Sequence, residues 1–258
     1  MNWEVVLNLF HTAVLLIAFF GAIRTVGSEK RTMRVVFYGF AVACGLLSNF
    51  YWLAYDILRP GTRMPFAANE IGEWAMFLLL GAALNVGRKF RKISLLMVFT
   101  ALFTAANVAL WIAWSGEWIE DVLTGAAFGY FLISITERLS RDEALSRREW
   151  IALGVACFVL IAMQTAIFFV PEPLGKTLDL CCYVLLFAGI AWFFAKAIFG
   201  FLKKYDPAKL IGLAFAAYGW CMTTLYMSAG GFYVAAICFA ILCYPMMLLT
   251  LRKEEPVS

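Results

Sequence analysis

Carboxyl and amide side chains are scarce within the apolar runs of this sequence, so the places where they recur are where chemistry could reside. Asn49, Trp52 and Asp56 fall at i, i+3 and i+7, and Asn69, Glu70 and Glu73 at i, i+1 and i+4. Asn107, Trp111 and Trp114 follow at i, i+4 and i+7, then Glu117, Glu120, Asp121 and Thr124, then Asp179, Cys182 and Tyr183. On helices each set forms one stripe. An ionised carboxylate near mid-bilayer costs about 2.5–3.5 kcal/mol on insertion scales, so such groups face a cavity or a partner. The stripes predict an acidic, aromatic-lined pocket whose ligand-binding residues are Asn49, Trp52, Asp56, Glu70, Glu73, Asn107, Trp111, Asp121, Gln164 and Asp179. The competing reading leaves the acids in the headgroup zone as caps of helix N-termini, and it is preferred for Glu4, Glu117 and Glu172.

Other chemistries lack their residues. His11 is the only histidine, which removes bis-histidine haem sites, zinc hydrolases, histidine-rich di-iron enzymes and Ser-His-Asp catalysis. No phosphate-cradling G-x-x-x-x-G-K-[ST] segment occurs. The seven cysteines lie inside apolar runs, and the adjacent Cys181 and Cys182 point about 100° apart on a helix, so core packing is expected rather than disulfides or metal binding. No catalytic residue, cofactor or metal is expected.

The elements that carry these stripes are membrane spans. Of the 258 residues 64% are apolar and 15% charged, far from the roughly 25% charged composition of soluble domains. Runs long enough for a hydrocarbon core of about 30 Å lie near 3–23, 35–57, 66–86, 93–114, 118–137, 150–170, 178–200, 208–228 and 232–251. The expected fold is an all-α polytopic helical bundle of about nine transmembrane helices in one domain. The first helix and a basic loop cover 1–34, four hairpins 35–251, and a short tail 252–258. Met1-Asn-Trp-Glu has no basic n-region, so the first helix is expected to be retained.

Charge fixes the orientation. Lys and Arg cluster at 24–34, 88–92, 138–148, 196–209 and 252–253, leaving only Arg59, Arg63 and Lys176 elsewhere. These clusters fall in alternate connections, and basic loops stay cytoplasmic. The N-terminus is therefore expected outside and the C-terminus inside, and the formal charge of +4 reflects topology rather than nucleic-acid binding. A multi-pass protein of the cell membrane follows, the cytoplasmic membrane if the source is bacterial. All the stripes then occupy the outer half of the bilayer. Arg59 and Arg63 lie beside Asp56, Glu70 and Glu73 in sequence and are expected to pair with them over the pocket mouth.

After the first helix, four hairpins follow one plan. On each rising helix a polar residue precedes aromatics: Asn49 with Tyr51, Trp52 and Tyr55; Asn107 with Trp111 and Trp114; Gln164 with Phe168 and Phe169; Thr223 with Tyr226. Acids open the descending helix at Glu70 and Glu73, at Glu120 and Asp121, and at Asp179, with Tyr233 in the corresponding place of the last pair. Four similar hairpins around a central volume, with the first helix peripheral, would bury these polar faces against one another.

The segment NFYWLAYDILRPGTRMPFAANEIGEWAMFLLLGAAL, from Asn49 to Leu84, resembles a hairpin of the multi-pass membrane input modules of bacterial histidine kinases and diguanylate cyclases. There a polar residue and aromatics precede a Pro-containing outer turn, and an acid opens the next helix. With no output domain expected after Arg252, the resemblance implies signalling through a separate partner, a cytoplasmic protein at the basic loops. The segment CGLLSNFYWLAYDILRP from Cys44 to Pro60, with Asp179 and Tyr183 further on, is similar in style to integral membrane terpene cyclases, although Leu53 stands where their acid would follow Trp52. AKAIFGFL at 195–202 is similar to the retinal-lysine helix of microbial rhodopsins, but Lys196 lies near Lys203 and Lys204, and a snorkelling anchor is the expected role.

The function expected is a membrane-embedded ligand-sensing or ligand-binding module taking a small molecule from the outer side. The alternatives are a small-solute or cation-coupled transporter and a membrane enzyme of terpene cyclase type, with an enzyme the less favoured class.

Overall fold

The computed structural model describes residues 3–28, 32–59, 68–87 and 93–253. Among them the chain forms nine helices: α1 (Trp3–Val26), α2 (Met33–Leu58), α3 (Ala68–Asn85), α4 (Leu95–Ser115), α5 (Trp118–Arg141), α6 (Arg147–Ile167), α7 (Glu172–Leu202), α8 (Pro207–Tyr226) and α9 (Gly230–Leu251). Eight are long and apolar enough to cross a membrane, and the protein is a multi-pass membrane protein. The ninth, α3, has 18 residues and is diluted by Asn69, Glu70, Glu73 and Asn85, the same groups that make it interesting.

Local chemistry sets the helix ends. Ser94 and Ser146 accept hydrogen bonds from the backbone amides of Met97 and Glu149, and the Glu149 carboxylate accepts one from the Ser146 amide in a capping box. Prolines at the first turns of α7 and α8 cost no hydrogen bond there. At the end of α4, Gly116 takes φ +73°, a left-handed turn that favours glycine.

Packing runs from α1 to α2 to α3, then to α5, α4, α6 and α7, while α9 closes back onto α1. The interior is not hollow: α8 fills it, packed on α5, α7 and α9 and buried from Leu210 to Thr224. An aromatic cluster fastens it, with Phe77 of α3 5.0 Å from Phe128 and 5.9 Å from Phe131 of α5, and Phe131 6.0 Å from Tyr218 of α8. Close backbone approach brings in glycine. A Cβ on Gly125 of α5 would lie 2.1 Å from Val108 Cγ2 of α4, and one on Gly72 of α3 3.0 Å from the Cys44 carbonyl oxygen of α2.

Helices alternate in direction, so Arg24, Arg34, Arg138, Arg147, Lys203 and Arg252 gather at one end. That end is stapled. Arg138, 1% exposed, reaches the Ala208 carbonyl at the start of α8 with Nε at 3.3 Å and Nη2 at 3.2 Å, and pairs with Asp142 at 2.5 Å. Arg252 donates to Thr25 Oγ1 at 2.6 Å and to the Gly21 carbonyl at 3.0 Å, tying α9 to α1.

Candidate ligand-binding cavity at the acidic end

At the opposite end the bundle opens into a cavity of about 1190 Å³. Its walls come from α1 (Leu7, Asn8, His11), α2 (Ser48, Asn49, Trp52), α3 (Asn69, Glu70, Glu73, Met76), α4 with its turn (Trp111, Trp114, Ser115) and α5 (Glu120, Asp121, Thr124). Helices α8 and α9 complete it with Tyr218, Met222, Tyr226, Tyr233 and Tyr244. Tyr218 stands eight residues inside the end of α8, which at about 1.5 Å rise per residue puts the floor roughly 12 Å below the rim.

The floor is a packed group of hydroxyls and sulfur. Tyr218 and Tyr244 hydroxyls meet at 3.1 Å, and each approaches Met76 Sδ, at 3.6 and 3.8 Å. The His11 ring stacks on Tyr244 with centroids 5.7 Å apart. Asn49 Nδ2 donates to the Asn8 carbonyl at 3.0 Å and to Thr12 Oγ1 at 2.6 Å, which locks α2 onto α1 and presents the other side of the amide to His11. The Trp111 ring meets that of Tyr226 at a tilt of 53°, centroids 5.2 Å apart, so the two rings adjoin on one wall.

Carboxylates supply the charge. Glu73 faces the Tyr226 hydroxyl, although that oxygen has no hydrogen bond of good geometry. Glu70, Glu120 and Asp121 stand nearer the rim. Asp121 also accepts from Ser115 Oγ at 2.6 Å, and the same Ser115 oxygen accepts from the Glu117 amide at 2.9 Å, so this acid braces the α4–α5 turn as well. Four buried polar atoms without a hydrogen-bond partner belong to residues lining this cavity: His11 Nε2, Asn69 Oδ1, Trp111 Nε1 and Tyr226 Oη. Buried polar atoms normally find partners, and Asn69 is only 4% exposed.

The cavity thus brings together Asn49, Trp52, Glu70, Glu73, Trp111 and Asp121 of the sequence-predicted set. Three others lie apart from its walls. Asn107 is buried on α4, one turn deeper than Trp111, and turns its Nδ2 back to the Phe103 carbonyl at 2.8 Å. Gln164 approaches Cys182 within the α6–α7 hairpin, and Asp179 approaches Tyr183 one turn along α7. That hairpin packs on α4 and α8 from outside, so its polar positions, though equivalent in the repeat, never reach the hollow. The Asp56 side chain and Arg63 lie outside the described residues; Arg59 is exposed at the end of α2. Lys196 pairs with Glu149 at 2.5 Å and lies over the Trp192 ring at 5.5 Å, on the cationic end and away from the cavity.

Sequence reasoning missed the contribution of α1 and the tyrosine floor. Asn8, His11 and Thr12 do fall at i, i+3 and i+4 of an otherwise apolar helix, a signal that could have found them. Tyr218 and Tyr244 carry none, since they read as ordinary core aromatics. Among the described residues no group of three or more His, Cys, Asp or Glu is gathered as metal ligands are; the acids are spread around the wall. Comparison with protein-family models, curated proteins and solved structures finds no match to this chain.

Proposed function

We propose that this protein is a membrane-embedded ligand-binding module of the sensing type, whose cavity opens to the outside and takes a small organic cation. The observation that carries the reading is the juxtaposition of Glu70, Glu73 and Glu120 with Trp52, Trp111 and Tyr226 in one cavity. Aromatic faces attract a cation by about 0.5–2 kcal/mol each, and a carboxylate about 4 Å away adds some 4 kcal/mol at an effective dielectric of 20. The cationic end of the bundle is cytoplasmic by the charge rule, which turns the acidic end outward and leaves the basic loops to meet a separate signalling protein.

Support for sensing over transport comes from below the floor. Tyr38, Phe215, Leu80 and Cys243 are each 0% exposed, and α8 occupies the space a through route would need. The test is a tryptophan fluorescence titration of the purified protein with tetraethylammonium, paired with flux of the labelled ion into proteoliposomes. Saturable quenching without flux is the expected result. Flux would establish the transporter instead, and no response to this or longer alkylammonium ions would sink the cation reading.

A further inference from the structure

A second cavity, of about 280 Å³, lies in the other half of the molecule. It opens between α4 and α6, which pack only sparsely on each other, and α5, α7 and α8 form its back. Leu95, Phe99, Phe103, Trp150, Gly154 and Leu153 flank the opening. The hydroxyls on its wall are all engaged within the protein: Thr100 donates to the Leu96 carbonyl at 2.9 Å and meets Thr136 at 2.9 Å, and Thr223 donates to the Gly219 carbonyl at 2.9 Å. Trp220 Nε1 is likewise bonded to the Leu186 carbonyl at 2.8 Å. A cleft whose polar atoms are already satisfied offers water nothing to bond, so its natural occupant is hydrocarbon.

Its inner mouth has the opposite character. Leu95 and Trp150 stand in the first turns of α4 and α6, so both helix N-termini, with their partial positive charge, point to that end. Arg147 and Arg148 open α6 and are exposed, while the neighbouring carboxylate of Glu149 is taken by Lys196. We infer that the α4–α6 cleft binds one acyl chain of an anionic phospholipid from the cytoplasmic leaflet, with the phosphate held at Arg147 beside the two helix N-termini. Charge at the mouth and hydrocarbon in the cleft match the two halves of that molecule, and the site is independent of the acidic cavity.

Gly154 allows the cleft to be filled without disturbing the fold, because a Cβ there meets only Phe99 Cζ, at 4.0 Å. The full chain, reconstituted in vesicles of equal phosphatidylglycerol and phosphatidylcholine and re-extracted in mild detergent, is weighed by native mass spectrometry. Wild type is expected to retain one phospholipid, predominantly phosphatidylglycerol. Gly154→Leu should cut the lipid-bound fraction at least fivefold, Gly154→Ala should leave it intact, and Arg147→Gln should abolish the preference for the anionic lipid. The site is overturned if wild type retains no lipid, if Gly154→Leu retains as much as wild type, or if the cleft proves to bind a second copy, seen as a dimer that Gly154→Leu dissociates. A phospholipid carrying a photoreactive acyl tail gives a readout that needs no variant: crosslinks on α4 or α6 support the site, and crosslinks confined to α1 and α9 refute it.

Discussion

The Tyr38 hydroxyl on α2 donates at 2.7 Å to the backbone carbonyl of Tyr244 on α9, the residue that precedes Pro245 within that helix. Pro245 has no amide hydrogen to give back to the preceding turn, so α9 is weakest where it forms the cavity floor. Tyr38 braces it there from a second helix. The bond also sets where the Tyr244 ring sits, and hence its contact with Tyr218 and His11.

Tyr38→Phe removes that brace and leaves the ring's packing in place. Interhelical hydrogen bonds in membranes contribute about 0.6–1.7 kcal/mol, and a loss within that range is expected from unfolding in mixed SDS and dodecyl maltoside micelles. Because the bond lies beneath the cavity floor, tetraethylammonium affinity should fall as well, though less than for removal of a wall carboxylate.

The α4–α5 contact is set by one missing side chain. With Val108 Cγ2 only 2.1 Å from a Cβ built on Gly125, Gly125→Ala forces the helices apart, and overpacking of this kind costs about 1–3 kcal/mol. Adding Val108→Ala should restore most of the loss, as read by the same unfolding assay; a double variant no better than Gly125→Ala would show that the contact is not what limits packing.

At the cationic end, Arg138 joins Asp142 to the first turn of α8 from a fully buried position. Arg138→Met leaves the Asp142 charge without this partner, and breaking a buried pair costs about 3–5 kcal/mol. Arg138→Met with Asp142→Asn is expected to recover part of it. Arg138→Lys should not substitute, because a single ammonium cannot reach both Asp142 and the Ala208 carbonyl as the guanidinium fork does.

The spans and the gathering of cations at one end were legible because the bilayer demands long apolar runs and asymmetric loops, and both are written in linear order. The walls given by Asn49, Trp52, Glu70, Glu73, Trp111 and Asp121 were legible for the same reason: each stripe is a local pattern on one helix. What linear spacing does not carry is which helix stands next to which. The repeat made the α6–α7 hairpin look equivalent to the others, yet its place outside α4 and α8 keeps Gln164 and Asp179 from the cavity. The reverse holds for α1, expected at the periphery, which supplies His11 because α9 closes the bundle against it. The central volume expected among the hairpins is occupied by α8, whose small residues, Gly212, Ala214, Ala216, Ala217 and Gly219, let neighbours approach closely, a preference of helix contacts in membranes.

Glu73 and Asp179 separate the cavity from the repeat. Both are acids opening a descending helix in the hairpin plan, but only Glu73 lines the hollow, where it faces Tyr226 and has no ion pair among the described residues. If the cavity binds cations, Glu73→Gln removes the ionisable carboxyl at nearly constant volume and should weaken tetraethylammonium binding about tenfold, which corresponds to about 1.4 kcal/mol. Asp179→Asn should leave the affinity unchanged within twofold, since α7 contributes no wall residue. Tyr226→Phe should weaken binding less than Glu73→Gln, because it deletes a hydroxyl and keeps the aromatic face beside Trp111. Equal losses at Glu73 and Asp179 would mean that general outer-surface charge, rather than a built site, attracts the ion; loss of the difference between them at 0.5 M salt would mean the same, since exposed charges are screened within a few ångströms there while enclosed ones are not.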